Sequence, residues 1–282
     1  MKFSQKFLLQ LILIIPSIFF ILNSKKIHSS YKMTFSKKLK LGLKMALNIT
    51  KIPSGSIYTS HLVMALKILE TPPDIKGDVI ECGTWKGSSA ANISLICKIT
   101  NRKLIIFDSF EGLPEPKEGD IQAQKMSKLQ KGAYAGTLEE VKKNITKYGD
   151  ITSCEFVKGW FEQTLPNLNS PVLLANLDLD LDDSLNTCVK CIWPNLLEKG
   201  YIFIDECLEL DFVALFFSEK WWKTNFNCNP PGLIGAGTGL PLGTFYIGPY
   251  SEYDEHPRQK FSTGAYTRKD FSGVWSYYPD EK

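Results

Sequence analysis

Residues 77–90 read GDVIECGTWKGSSA, and the fold turns on this stretch. Asp78–Cys82 is an apolar run of strand length, Gly83 and Gly87 bracket a tight turn, and Ser88–Thr100 is rich in small and aliphatic residues and reads as a helix. Strand, glycine turn and helix make the first half of a βαβ unit. The alternation continues on both sides. His61–Glu70 reads as a helix capped by Thr59 or Ser60, and Leu104–Asp108 (LIIFD) as a second strand. Thr137–Tyr148 reads as a helix whose polar side carries Glu139, Glu140, Lys142 and Lys143. Glu155–Lys158 and Val172–Leu181 are expected strands, Ser184–Leu197 a helix, Tyr201–Asp205 a fifth strand and Phe212–Trp222 a further helix. Pro230–Gly248 is Gly- and Pro-rich and reads as loop with a last strand around Phe245. The pattern implies an α/β fold, a doubly wound, mostly parallel sheet covered on both faces. With 282 residues, 44% of them hydrophobic, the chain can bury such a core without staples and is not a disordered or collagen-like protein.

In open α/β sheets, ligands bind beyond the carboxyl ends of the strands, where the strand order reverses. The first strand ends in Glu81-Cys-Gly83-Thr-Trp-Lys-Gly87, whose glycines permit a sharp turn and close backbone approach to a ligand. The spacing is not the dinucleotide fingerprint G-x-G-x-x-G, so an NAD-linked enzyme is a weak reading. The second strand ends in Asp108, an acid placed to accept ribose hydroxyls. Together these describe a nucleoside cofactor site without a pyrophosphate cradle. In Leu177–Asp183 (LDLDLDD), continued strand geometry would put Asp178, Asp180 and Asp182 on one face. The fifth strand ends in Asp205-Glu206. Asp178, Asp205 and Glu206 then converge as hard oxygen donors suited to Mg²⁺, Mn²⁺ or Ca²⁺ rather than zinc, or serve as separate caps and solvated acids.

The segments GDVIECGTWKGSSA, IIFDSFEGLPEP, FVKGWFEQTLP, LDLDLDDS and YIFIDE, in this order, resemble the macrocin O-methyltransferase family over Gly77–Glu206. The resemblance implies a class I, Rossmann-like fold and methyl transfer from S-adenosylmethionine to a hydroxyl of a sugar or glycoside, assisted by Mg²⁺ or another hard divalent cation. It places Glu81, Gly83 and Gly87 at the methionine side of the cofactor. Asp108 with Ser109 lies at the ribose, and Gly159 and Trp160 border the adenine. It makes Asp178, Asp205 and Glu206 metal ligands. Asp178 and Asp180 are the catalytic candidates, with Asp182 an alternative proton acceptor. Two departures stand out: Glu206 occupies a position where the family usually has Asp, and Cys207 one where it has an aromatic. A non-catalytic, membrane-associated binding protein that retains the fold is the rival reading. His61 reads as a capping or surface residue, and Lys158 as solvated.

Four regions are expected: a hydrophobic segment with a basic flank (1–32), a basic linker and helix (33–69), the methyltransferase domain (70–250) and a C-terminal tail (251–282). Residues 7–22 (FLLQLILIIPSIFFIL) are almost wholly apolar, but sixteen residues interrupted by Pro16 fall short of the ~20 that cross a bilayer core. They read as a signal-anchor, a cleaved signal peptide or sequence upstream of a start at Met33. The heavier basic flank after the run puts the domain in the cytoplasm, tethered to or resting on a membrane. Residues 1–69 hold eleven Lys and no Asp, Glu or Arg, whereas the remainder carries 22 basic against 30 acidic residues. So acidic a body does not suit nucleic acid, and the N-terminal lysines suit anionic lipid or solvent. Seven scattered Cys, with Cys188-x-x-Cys191 lacking a second pair or a nearby His, suggest neither a disulfide framework nor zinc, and agree with a reducing compartment. Trp221-Trp222 reads as a buried helix face or an exposed patch. A homo-oligomer is left open.

Overall fold

The computed structural model describes residues 14–15, 18–19, 21–56, 58–117, 129–206, 210–238, 243–247 and 264–271. Eight strands form one sheet: β1 (Asp78–Cys82), β2 (Leu104–Asp108), β3 (Cys154–Lys158), β4 (Val172–Leu177), β5 (Leu196–Ile204), β6 (Leu233–Thr238), β7 (Gly243–Ile247) and β8 (Ala265–Arg268). Their order is β3-β2-β1-β4-β5-β8-β6-β7. The first five are parallel, and β8, β6 and β7 extend the sheet in antiparallel pairs. The order reverses between β1 and β4, which is where such a sheet opens a ligand crevice.

Side chains alternate between the two faces, as strand geometry demands. Val79, Leu104, Ile106, Leu174 and Phe203 pack against helices Phe35–Asn48, Tyr58–Glu70, Ser88–Thr100 and Leu138–Tyr148. Ile80, Cys82, Ile105, Phe107, Ala175, Leu177, Ile202 and Ile204 pack against helices Asp182–Ile192, Leu210–Leu215 and Glu219–Phe226. Burial on both faces explains why these strands read as nearly continuous apolar runs. The run of Ser88, Ser89, Ala90 and Ala91, all buried, lets its helix lie close to the sheet. That helix stops at Asn101 in the left-handed region (φ 52°).

The structure corrects several expected boundaries. β4 ends at Leu177 rather than Leu181, because its neighbours β1 and β5 end at Cys82 and Ile204 and offer no further ladder. Asp178, Asp180 and Asp182 therefore do not share a strand face: Asp180 turns at φ 59° and Asp182 opens a helix. The expected helix over Ser184–Leu197 starts earlier and ends at Ile192, where Pro194 enters a 3₁₀ turn and β5 begins at Leu196. The expected helix Phe212–Trp222 is two helices, the second capped by the Ser218 hydroxyl accepting from Trp221 N at 3.4 Å. Trp222 is fully buried, 4.5 Å between ring centroids from Trp193, and Trp221 Nε1 donates to Asn186 Oδ1 at 2.8 Å, so the pair is structural. Cys188 and Cys191 are free thiols. From the expected tail, β8 inserts between β5 and β6.

The basic N-terminal region joins the same core. Leu41, Met45, Ala46, Ile49 and Ile52 are buried against helix Tyr58–Glu70 and its neighbours. Ile18 and Ile21 lie beside helix Phe35–Asn48, where a methyl group on Gly42 would stand 3.2 Å from Ile21 and 3.4 Å from Ile18. No described helix is long and apolar enough to cross a membrane, and residues 7–13, 16, 17 and 20 of the apolar segment lie outside the described residues.

His61 is neither cap nor surface residue; it is fully buried. Asn92 Nδ2 donates to His61 Nδ1 at 3.1 Å, which leaves Nε2–H to donate to Ser56 Oγ at 2.7 Å. Asn92 Nδ2 also donates to Met45 O at 3.3 Å, and Asn48 Nδ2 donates to Asn92 Oδ1 at 2.9 Å and Tyr148 O at 3.1 Å. Four helices and the loop before Tyr58 thus meet in one buried polar network. Burial pushes the imidazole down to about 4. A depressed His contributes stability that is present above its unfolded value near 6.5 and lost as pH falls towards 4, here about 3 kcal/mol. Urea titrations of the wild type and of His61→Gln should differ by an amount that shrinks by that order between pH 7 and pH 4; a pH-independent difference would show that His61 titrates normally.

Candidate functional site

Beyond the ends of β1, β3, β4 and β5, the first non-strand amide donates to a carbonyl at the end of the neighbouring strand. Gly159 N donates to Asp108 O (3.0 Å), Gly83 N to Phe107 O (3.1 Å), Asp178 N to Cys82 O (3.0 Å) and Asp205 N to Leu177 O (3.0 Å). This last rung of the ladder sets Gly159, Gly83, Asp178 and Asp205 side by side along the rim. They line a cleft of about 450 Å³, a volume suited to a small-molecule ligand. Of the residues singled out by sequence, Gly83, Asp108, Ser109, Gly159, Trp160, Asp178, Asp180 and Asp205 line it; Glu81, Gly87 and Glu206 do not.

The β1 turn is close-packed. Gly83 has φ +79°, and any Cβ there would run into the Asp178 carbonyl oxygen, so only glycine lets β1 and β4 close here. Glu81 lies beneath the turn, 1% exposed, accepting from Thr84 Oγ1 at 3.0 Å and Asn176 Nδ2 at 3.3 Å. Burial outweighs these bonds and lifts its carboxyl to about 7. Asp108 braces the same turn: Oδ2 accepts from Thr84 N (2.7 Å) and Oδ1 from Phe110 N (2.6 Å). Burial raises its carboxyl despite those amides. The Trp85 amide also bonds the carboxylate, so three backbone amides converge on it and leave acceptor capacity for one ligand hydroxyl. The Ser109 hydroxyl is used locally, donating to Gly112 O (2.9 Å) and accepting from Glu111 N (3.1 Å). Gly87, at φ +79°, turns the chain into helix Ser88–Thr100, whose carbonyl-free N-terminal end follows the turn.

The acidic side is organised by Glu206. Its Oε1 accepts from both Leu179 N and Asp180 N at 2.9 Å, holding the loop after β4, while Oε2 is buried with no hydrogen-bond partner. Burial and the charges of Asp205 and Asp180 raise its carboxyl. Asp178 is raised well above the carboxylate range by burial and then by Asp205, Glu206 and Asp180. Among the described residues, no group of three or more His, Cys, Asp or Glu is arranged to hold a metal ion. The cleft itself presents two carboxylates as neighbours, Asp178 and Asp205.

Sequence reasoning missed several lining residues. Trp85 (φ 45°) and Tyr134 (φ 55°) meet edge-on at 5.6 Å between ring centroids on one wall. Two aromatics in glycine-flanked turns, GTWKG and GAYAG, were the available signal. Leu113 and Pro114 are brought there by the bonds Leu113 N to Ala133 O (2.8 Å) and Gly132 N to Leu113 O (2.9 Å). Ser54 and Gly55 cross the opposite side, where a methyl group on Gly55 would lie 3.5 Å from Asp178 Oδ2.

Residues 58–225, more than half of the chain, match the family model described as Macrocin-O-methyltransferase (TylF). Among solved structures, the O-methyltransferase NovP superposes with a TM-score of 0.51 at 22% identity, over 69% of this chain and 72% of that one. The calicheamicin methyltransferase CalS11 gives a TM-score of 0.48 at 16% identity, over 82% of this chain and 92% of that one. At such identities the likeness to NovP is one of fold. No curated protein gives a significant match.

An acid with a raised folded value contributes stability that is full below its unfolded pKa and lost as pH rises through the folded one. For Glu81 that window runs from 4.5 to about 7, opposite in sign to His61, and leaves a buried carboxylate costing about 3 kcal/mol above it. At pH 8, Glu81→Gln should therefore melt no lower than the wild type, whereas Gly83→Ala should lose about 1–3 kcal/mol. A Gly83→Ala protein as stable as the wild type would refute the close packing of β1 on β4.

Proposed function

This chain belongs to the macrocin O-methyltransferase family and is an O-methyltransferase; from that premise we propose that it methylates a hydroxyl of a sugar or glycoside, using S-adenosylmethionine and a hard divalent cation such as Mg²⁺. The observation that carries the reading is the rim itself. An acid-braced nucleoside turn and a pair of carboxylates open into one cleft, a hydrogen bond apart at Asp178 N and Cys82 O.

Each implied group has a matching feature. A nucleoside bearing a cationic amino-acid tail fits a cleft with Asp108 at the end of β2 and Glu81 beneath the glycine turn. Trp160 and Gly159, with φ +147°, border the place where a flat base would lie. Glu81, titrating near 7, gives up its proton readily once a cation stands near it. For the metal, the cleft would offer the hard oxygens of Asp178 and Asp205, and the buried Glu206 Oε2 is an oxygen left without a hydrogen-bond partner. Glu206 itself has Oε1 committed to the loop, so its part is to hold Asp180 and Leu179 and add charge.

The sulfonium supplies an activated methyl group and leaves as a neutral thioether. The chain's own residues do the rest. The β1 turn and Asp108 would hold the nucleoside in the same cleft as the acidic loop after β4. Asp178 and Asp205 would hold the cation, whose positive charge would lower the pKa of a nearby acceptor hydroxyl. Asp180, positioned by Glu206 through its backbone amide, takes the hydroxyl proton as the oxygen–carbon bond forms and the carbon–sulfur bond breaks. Alignment within the cleft supplies much of the rate. Trp85 and Tyr134 provide apolar faces of the kind that stack on sugar rings.

Activity on a panel of glycosides should require a divalent cation and fall by about two orders of magnitude or more in Asp178→Asn and Asp205→Asn, with cofactor binding retained. Undiminished turnover in the presence of a chelator, or in Asp178→Asn, would overturn the metal-assisted reading.

A further inference from the structure

The described chain exposes large hydrophobic side chains at Ile15, Phe19, Phe35, Leu43, Leu47 and Ile75. All but Ile75 fall between residues 15 and 47, on two helical segments that pack side by side through Gly42. Within helix Phe35–Asn48, Leu41, Met45 and Ala46 are buried in the core, and Lys40, Leu43, Lys44 and Leu47 recur at three- and four-residue spacing on the outer face. Leu47 is 59% and Phe35 68% exposed. A merely solvated helix looks different in this same protein. Helix Leu138–Tyr148 turns Glu139, Lys142, Lys143 and Lys147 outwards and leaves no large hydrophobic exposed.

The charge on this patch has one sign. From residue 1 to residue 69 the chain has eleven Lys and no acid, although the rest is net acidic. A face combining exposed Phe and Leu with Lys alone repels a second copy of itself and complements an anionic surface with an apolar interior. Ile15 and Phe19, at 77% and 68% exposure, extend it towards residues 7–13, which are apolar in sequence.

We propose that helix Phe35–Asn48 and the segment beside it dock flat on an anionic lipid bilayer. Phe35, Leu43, Leu47, Ile15 and Phe19 enter the headgroup boundary, and Lys40 and Lys44 meet the lipid phosphates. The chain then meets the membrane through a folded surface. This inference does not rest on the identity of the methyl acceptor.

The test is co-sedimentation of the full chain with vesicles of phosphatidylcholine alone and of phosphatidylcholine containing about one-quarter phosphatidylglycerol, at low and high salt. Two double variants change only exposed positions: Lys40→Glu with Lys44→Glu, and Leu43→Ser with Leu47→Ser. Both should keep the wild-type melting temperature. The wild type should bind the anionic vesicles in a salt-sensitive manner, and each variant should bind about tenfold more weakly or worse. Three results would overturn the proposal: no wild-type binding to either vesicle, unchanged binding in both variants, or a wild-type dimer that the variants convert to monomer without any vesicle binding.

Discussion

The site rests on four backbone hydrogen bonds made one residue beyond the strands. Gly159, Gly83, Asp178 and Asp205 each donate to the neighbouring chain at the rim of β3, β2, β1, β4 and β5. Because the strands are parallel, their carboxyl ends lie at one edge, and this rung holds the departing chains level before they diverge. Gly83 is the tightest point, with its φ of +79° and no room for a Cβ against the Asp178 carbonyl. Displacing that contact would move the nucleoside turn relative to the acidic loop. The order reversal at β1 and β4 makes the crevice; the rung decides which side chains stand in it.

Charge is the second constraint. Glu81, Asp108, Asp178 and Glu206 all have carboxyls raised by burial, and all but Asp108 are raised further by acidic neighbours. Without cations, such a cluster costs stability. Under the proposed function, a bound sulfonium, ammonium and divalent metal would offset that cost. The bonds from Leu179 N and Asp180 N to Glu206 show how the fold tolerates the acids meanwhile, by giving one carboxylate two amides.

The sequence was most legible where punctuation was strong. β1, β2 and helix Ser88–Thr100 match their expected bounds because Gly83, Gly87 and Asn101 take left-handed conformations that stop the elements there. LDLDLDD misled because its alternation mimics a strand, while ladder partners, which are invisible locally, end at Cys82 and Ile204. His61 was misplaced for a related reason: its burial depends on helices 35–48 and 88–100 closing over it, a tertiary fact. The rim acids and glycines were found because they follow strands directly. Trp85, Tyr134 and the Ser54–Gly55 crossing were not, since loops carry residues to a cleft by paths that periodicity does not encode.

The central claim is that the rim beyond β1 and β2 is a nucleoside cofactor site held by Asp108. Calorimetric titration of S-adenosylhomocysteine into the full chain tests it most directly, with Asp108→Asn alongside and melting temperatures as a check on folding. The account predicts micromolar binding in the wild type and an affinity about ten- to a hundredfold weaker in the variant, the loss of a charge-assisted ribose contact. No binding by a folded wild type, or equal affinity in the folded variant, would contradict it.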